Sequence, residues 1–207
     1  MSGRRTGPLG FDPDRDVMLD ARNLRGLAHP LRLRMLGLLR ETGPATATQL
    51  AERVGESSAA TSYHLRQLAE YGFVVEDASR GRGRERWWRS AHRSSYFDIT
   101  GDESDEGRLL TDAYLRSVVG ALAARMEAWV DALPALPADW RDAGTISDYR
   151  ASLTATEAAE LVSRLKAIGL EVRDRPPSGE DSRRVIVQFQ VLPDARSVLD
   201  AEGRTDD

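Results

Sequence analysis

In the first half of the chain apolar residues recur at steps of three and four, the period of one helix face, and Gly, Pro and capping residues separate the runs. After an arm carrying Gly3, Gly7, Pro8, Gly10 and Pro13, the pattern predicts a first helix over residues 17–28. Pro30 suits the first position of a second helix, because its absent N–H would have no partner there. Leu31, Met35, Leu38 and Leu39 give that helix an apolar stripe, and Gly43-Pro44 stops it. Thr46 and Gln49 have the spacing of a capping box for a third helix with Leu50, Ala51 and Val54 inside. Gly55 then supplies a turn. Ser57 or Ser58 caps a fourth helix in which Thr61, Leu65 and Leu68 point inward, leaving Ser58, Ala59, Ser62, Tyr63 and Arg66 outward.

The pattern next changes to that of strands. Phe73-Val74-Val75 and residues 85–88 are β-prone runs on either side of Ser79-Arg-Gly-Arg-Gly-Arg84, which predicts a hairpin with a basic tip. Only one of Trp87 and Trp88 can face the domain core, since adjacent strand residues point to opposite faces, and packing is preferred to base stacking for this pair. An acidic linker over residues 101–107 leads into a long helix. There Leu115, Val119, Leu122, Met126, Trp129 and Leu133 alternate steps of four and three, a seam that asks for a partner helix from a second copy or from within the subunit. Pro134 and Pro137 end it. Further on, the pattern predicts a strand near 145–153, a capping box at Thr154 and Glu157 opening a helix to about Ile168, and strands over 170–173 and 184–191 paired around a polar tip.

The expected fold is mainly α with a small β wing, plus a small α+β carboxyl-terminal segment. Its parts are a flexible arm (1–15), a winged helix-turn-helix domain (16–100), a long dimerisation helix (101–136) and the carboxyl-terminal segment (137–207). A helix able to enter a groove, followed by a basic ribbon able to reach the neighbouring backbone, is the physical plan of a DNA reader.

A net charge of −4 opposes that plan only until it is divided along the chain. Residues 15–98 hold 14 basic and 10 acidic side chains, whereas residues from 99 onward hold 13 basic and 21 acidic. Only the amino-terminal half suits a polyanion. With no cysteine there is no disulfide framework, thiolate metal site or thiol redox switch, and no apolar run approaches the ~20 residues that span a bilayer, so the expected location is the cytoplasm.

The motifs Ala28-His-Pro-Leu-Arg-Leu-Arg-Met-Leu, Ala51 with Gly55, and the run from Ser57 through Tyr63-His-Leu-Arg-Gln-Leu to Gly72-Phe-Val fall in the order of the ArsR/SmtB type of bacterial transcriptional regulator, which residues 17–98 resemble. The resemblance implies that Ser58, Ala59, Ala60, Ser62, Tyr63 and Arg66 face the major groove or its phosphates, with Thr48 and Gln49 holding the backbone. It also implies repression by occlusion, by a homodimer on a pseudo-palindromic operator in double-stranded DNA. Against this stands the plainer possibility of a solvated helix face. The small, uncharged leading edge of that helix favours close approach to a groove floor. Arg82 and Arg84 sit at the flexible wing tip, where concentrated charge meets phosphate or the minor groove. His64 reads as semi-buried and structural, and His29 as a helix-start residue.

Metal-sensing members of that family use cysteines or Asp, His and Glu clusters. Here all three histidines precede the long helix, whose carboxylates lack nitrogen partners, so no metal site and no cofactor are expected. No phosphate loop, cysteine nucleophile or His-Glu-x-x-His run suggests catalysis, and an enzyme is not expected. A small-molecule effector of unknown identity stays open, with Trp140, Tyr149, Val185, Val187, Phe189 and Val191 as either pocket lining or ordinary core. The competing function is a winged-helix protein-interaction module without direct DNA binding, anchored by Tyr63, Trp87 and Trp88.

Overall fold

A computed structural model describes residues 8–80, 85–97 and 104–202. The chain divides into two units: Phe11–Gly144, and a second formed by Met1–Gly10 together with Thr145–Asp207.

The first unit runs β1 (Asp16–Met18), α1 (Ala21–Leu27), α2 (Pro30–Thr42), β2 (Ala45–Thr46), α3 (Ala47–Val54), α4 (Ser58–Glu70), β3 (Val74–Glu76), β4 (Trp87–Ser90), β5 (Ser94–Tyr96) and α5 (Asp105–Ala132). A 3-10 turn at Leu133–Ala135 and α6 (Ala138–Asp142) follow. Local chemistry explains most of these boundaries. Pro30 opens α2 and the glycine at 43 ends it, while Thr46 and Gln49 form the expected capping box at α3. At α5 the Ser104 hydroxyl accepts from the Gly107 N–H, and Asp105 and Glu106 occupy the first turn, where the helix dipole favours carboxylates.

Two elements differ from the pattern-based reading. The expected first helix over 17–28 is shorter, because Asp16–Met18 pair in parallel with Ser94–Tyr96 and the helix begins only after Asp20, whose side chain accepts from the Asn23 N–H. The wing is also a three-stranded sheet in the order β2-β4-β3, in which Ala45 and Thr46 pair with Trp88 and Trp87. Both pairings join residues remote in sequence, and a two- or three-residue strand leaves no periodic signal.

The core lies where α1, α2, α3, α4, the wing and α5 converge. Met35, Leu36 and Leu39 of α2 are buried against Leu24 and Leu27 of α1, Leu50 and Val54 of α3, Leu65 and Leu68 of α4, and Phe73, Val74 and Trp88. Burying one such side chain stabilises by roughly 1.5–3 kcal/mol. Tyr114 brings α5 onto the same cluster, edge-on to Phe97 at a centroid distance of 5.2 Å. The Arg125–Glu41 ion pair at 2.9 Å joins α5 to α2.

In the second unit, Thr154 and Glu157 form a capping box that opens α7 (Ala155–Asp174), and α8 (Ala195–Glu202) follows. The strands expected over 145–153, 170–173 and 184–191 do not form among the described residues, so this segment is helical rather than α+β. Residues 170–173 continue α7, which commits their backbone groups to the helix and removes the partner that 184–191 required. Apolar side chains here stand largely in solvent, with Tyr149 92% and Leu192 82% exposed.

Glycine substitutions separate tight from open positions. A Cβ at Gly26 would lie 2.7 Å from Tyr71 Cγ and 2.9 Å from Phe73 Cε2, whereas one at Gly120 meets nothing within 4 Å. Gly26→Ala is therefore expected to destabilise by about 1–3 kcal/mol through overpacking. Gly120→Ala should instead stabilise by about 0.5–1 kcal/mol through lost chain entropy. Urea unfolding with unchanged m-value checks both; equal effects would refute the contrast.

Candidate nucleic-acid interface

The α3–α4 corner is set by three local devices. Gly55 ends α3 with φ 75°, a left-handed conformation that favours glycine, and its N–H reaches the Ala51 carbonyl. Ser57 caps α4 by accepting from the Ala60 N–H at 3.1 Å. From α2, the Arg34 guanidinium donates to the carbonyls of Val54 and Arg53, both at 3.2 Å, satisfying the end of α3 and tying the corner to the core helix.

Burial of Thr61, Leu65 and Leu68 decides which face of α4 is free. Thr61 also donates through Oγ1 to the Ser57 carbonyl at 3.0 Å, so its hydroxyl is satisfied inside. Ser58, Ala59, Tyr63 and Arg66 are exposed on the opposite side, and Ala60 and Ser62 are half-buried beside them. Thr48 is exposed, with its hydroxyl 3.4 Å from that of Ser58. Gln49 differs in kind: its Oε1 accepts from the Thr46 N–H at 3.0 Å, so half of its amide is engaged in the cap. No acidic residue occupies the first turn of α4, although Glu56 immediately precedes its Ser57 cap.

The wing places Trp88 in the core and Trp87 half-buried outside, as adjacent strand positions require. The Arg80 guanidinium lies 5.8 Å from the Trp87 ring centroid and 3.6 Å from the Asp77 carboxylate. Arg86 is 3.9 Å from Glu76. Arg82 and Arg84 lie outside the described residues.

On α5 the seam residues separate into two kinds. Leu115 packs on the unit's own core, and Leu122 lines a groove with Leu33 and Gly37 of α2. Trp129 is half-buried with Gly144 against its ring, and Leu133 is half-buried. Val119 and Met126 stay 64% and 39% exposed. At ~100° per residue they lie roughly a third of a turn or more from Tyr114, which marks the face of α5 laid on α1 and α2.

Sequence reasoning missed the tie from Arg34, which no motif marks, and the pairing of His29 with His64. His29 caps α2 through Nδ1, which accepts from the Leu31 N–H at 3.2 Å, and its ring centroid is 4.6 Å from that of His64 on α4. His64 Nδ1 is sealed from solvent and has no hydrogen-bond partner among the described residues. Burial, foremost, holds both imidazoles below the usual histidine pKa; Arg32 lowers both, His29 adds to the effect on His64, and Glu56 opposes it. Among the described residues no three of His, Cys, Asp and Glu meet in a metal-holding group.

Because these histidines bind fewer protons when folded, their contribution to stability should hold above the unfolded pKa near 6.5 and decline as pH falls from there toward the folded values. Urea unfolding between pH 5 and 7 is expected to show a midpoint rising with pH, with the slope reduced in His64→Gln. An unchanged slope in that variant would place the effect elsewhere.

Shape and surface define a winged helix-turn-helix. A family model described as a helix-turn-helix domain matches residues 27–77. The HTH-type transcriptional regulator NmtR of Mycobacterium tuberculosis is 46% identical over 57 residues, a match covering 28% of this chain and 47% of that protein. The chain thus spans about half the length of the curated relative it matches. Residues 27–77 are thus similar to the helix-turn-helix region of a transcriptional regulator. Among solved structures, Rv1404 of Mycobacterium tuberculosis is 16% identical over 72% of this chain and 81% of that one, with a TM-score of 0.29. An apo ZitR mutant of Lactococcus lactis is 16% identical over 73% and 86%, with a TM-score of 0.28.

Proposed function

We propose that this protein is a cytoplasmic, sequence-specific DNA-binding transcriptional regulator that acts as a homodimer and represses by occluding a pseudo-palindromic operator. The observation that carries the reading is the exposed face of α4, where small residues at the leading edge are followed by Tyr63 and Arg66, beside the hydroxyl of Thr48. Small side chains admit a backbone close to base edges, hydroxyls and the helix amino terminus suit phosphate, and Arg66 adds a cation. Arg82 and Arg84 extend the contact from the wing, and Gln49 supplies its amide nitrogen. No helix among the described residues is long and apolar enough to cross a membrane.

The dimer reading rests on Val119 and Met126, apolar residues left in solvent on a helix whose other side is already packed. Two-fold symmetry would set the two α4 helices about one DNA turn, ~34 Å, apart.

Arg66→Ala and the pair Arg82→Ala with Arg84→Ala are expected to weaken operator binding while leaving the circular dichroism spectrum intact. Each lost phosphate contact should flatten the log–log salt dependence by about 0.9. Fluorescence anisotropy on an operator mapped genome-wide checks this; unchanged affinity and salt slope for both variants would refute DNA contact, and salt-insensitive binding to another protein would favour an interaction module.

Replacing Val119 and Met126 by Asp should convert dimer to monomer and cost operator binding far more than half-site binding, because charge would be buried in an apolar interface. A dimer mass for this variant in light scattering would move the interface elsewhere.

A further inference from the structure

At the end of α2 remote from the His29–His64 pair, a cleft of about 400 Å³ opens between α2, the approach to β1 and the turn joining β4 to β5. The eleven residues from His29 to Arg40 put it roughly 16 Å along α2 from that contact with α4. Arg15, Arg40, Arg89 and Arg93 line it, against Asp14 as the one carboxylate residue in the lining.

The arginines are held differently. Arg93 grips the buried Asp16 carboxylate with two parallel bonds, Nε to Oδ1 at 3.1 Å and Nη2 to Oδ2 at 2.9 Å. Arg40 is positioned by neutral acceptors alone: Nε donates to the His92 carbonyl at 3.1 Å and to Ser90 Oγ at 3.4 Å, and Nη2 to Ser95 Oγ at 2.9 Å. Its Nη1 has no hydrogen-bond partner among the described residues and is not among the polar atoms sealed from solvent. Burial draws the Arg40 pKa down to about 10 against the opposing pull of Tyr114 and Asp16, so this cation is under-solvated where it stands. Among the described residues Arg15 forms no ion pair, and Arg89 donates to the Ser90 carbonyl at 3.5 Å while its charge also acts on the Asp77 carboxylate. Elsewhere on this unit arginines stand beside carboxylates, as in Arg25–Glu106, Arg116–Asp112 and Arg125–Glu41. Next to the arginines, Leu39, Pro44 and Ala91 contribute an apolar wall.

We propose that this cleft binds a small organic anion, its carboxylate or phosphate meeting Arg40, Arg15 and Arg89 and its carbon body lying on Leu39, Pro44 and Ala91. Guanidinium forks match the planar carboxylate and the phosphate oxygens, and an anion there would give Arg40 the charged hydrogen-bond acceptor that its neutral partners do not provide. The site stands independently of DNA recognition.

The full chain is to be tested by thermal unfolding and calorimetry with benzoate, hexanoate and phenyl phosphate. Inorganic phosphate, benzyl alcohol and sodium chloride at matched ionic strength serve as comparisons. At ten times its dissociation constant a native-state ligand raises the folded-to-unfolded ratio roughly elevenfold. A saturable rise with at least one organic anion, absent with benzyl alcohol and lost in Arg15→Ala/Arg89→Ala, is expected; both substitutions are at exposed positions, which keeps folding intact. If carboxylates and phenyl phosphate differ, the better one identifies the head group. The proposal is overturned by stabilisation no greater than that from salt, by equal stabilisation with inorganic phosphate, or by full retention in the variant. It is also overturned if the variant loses operator affinity while keeping anion stabilisation, which would make the arginines a DNA-backbone surface.

Discussion

The burial of α2 governs the first unit. Met35, Leu36 and Leu39 form a single stripe whose sides are closed by α1, α3, α4, the wing and α5, and each of those elements is too short or too polar to bury its own apolar face alone. Hydrophobic burial has no direction, so it cannot by itself set the angle of α4. Direction comes from the polar fittings laid over the core: Gly55 fixes the turn, Ser57 the start of α4, and Arg34 the end of α3. The exposed face of α4 is thus the residue of an energetic choice made on the other side of the helix.

Charge follows a different logic from hydrophobicity. The chain is acidic in total, yet the half that carries the helix-turn-helix is basic. Many surface arginines stand beside carboxylates, and such exposed pairs are worth little in stability, with a median of about 0–1 kcal/mol. Their effect is to neutralise most of the surface, so that cations left beside neutral partners mark places where an anion gains most. Arg40 at the far end of α2 is such a cation. A helix whose opposite ends meet α4 and a cationic cleft offers a physical connection between two surfaces.

The second unit shows what local signals can achieve without a core. Thr154 and Glu157 satisfy the first turn of α7 whatever surrounds it, because both donors and acceptors lie within four residues. Val185, Val187 and Phe189 alternate as a strand would, but alternation specifies only which side chains share a face; the backbone still needs a neighbouring edge. Once α7 extends through Leu170 and Val172, no such edge remains among the described residues.

Elements made by contacts within four or five residues were therefore legible from the sequence alone: the Pro30 start of α2, the capping boxes at Thr46 and Thr154, the turn at Gly55, the inward stripe Thr61-Leu65-Leu68 and, with it, the outward set on α4. The helix-turn-helix announces itself because its geometry is local. What only the tertiary structure decided joins residues far apart, where sequence carries no spacing to read: the β1–β5 pairing that shortens the first helix, the addition of Ala45 and Thr46 to the wing, the contact of His29 with His64, and the gathering of Arg15, Arg40, Arg89 and Arg93 around one cleft. The seam on α5 lies between these limits. Its period could be read from the chain, but which of its residues are covered by α2 and which still face solvent depended on how the helix settled on the core.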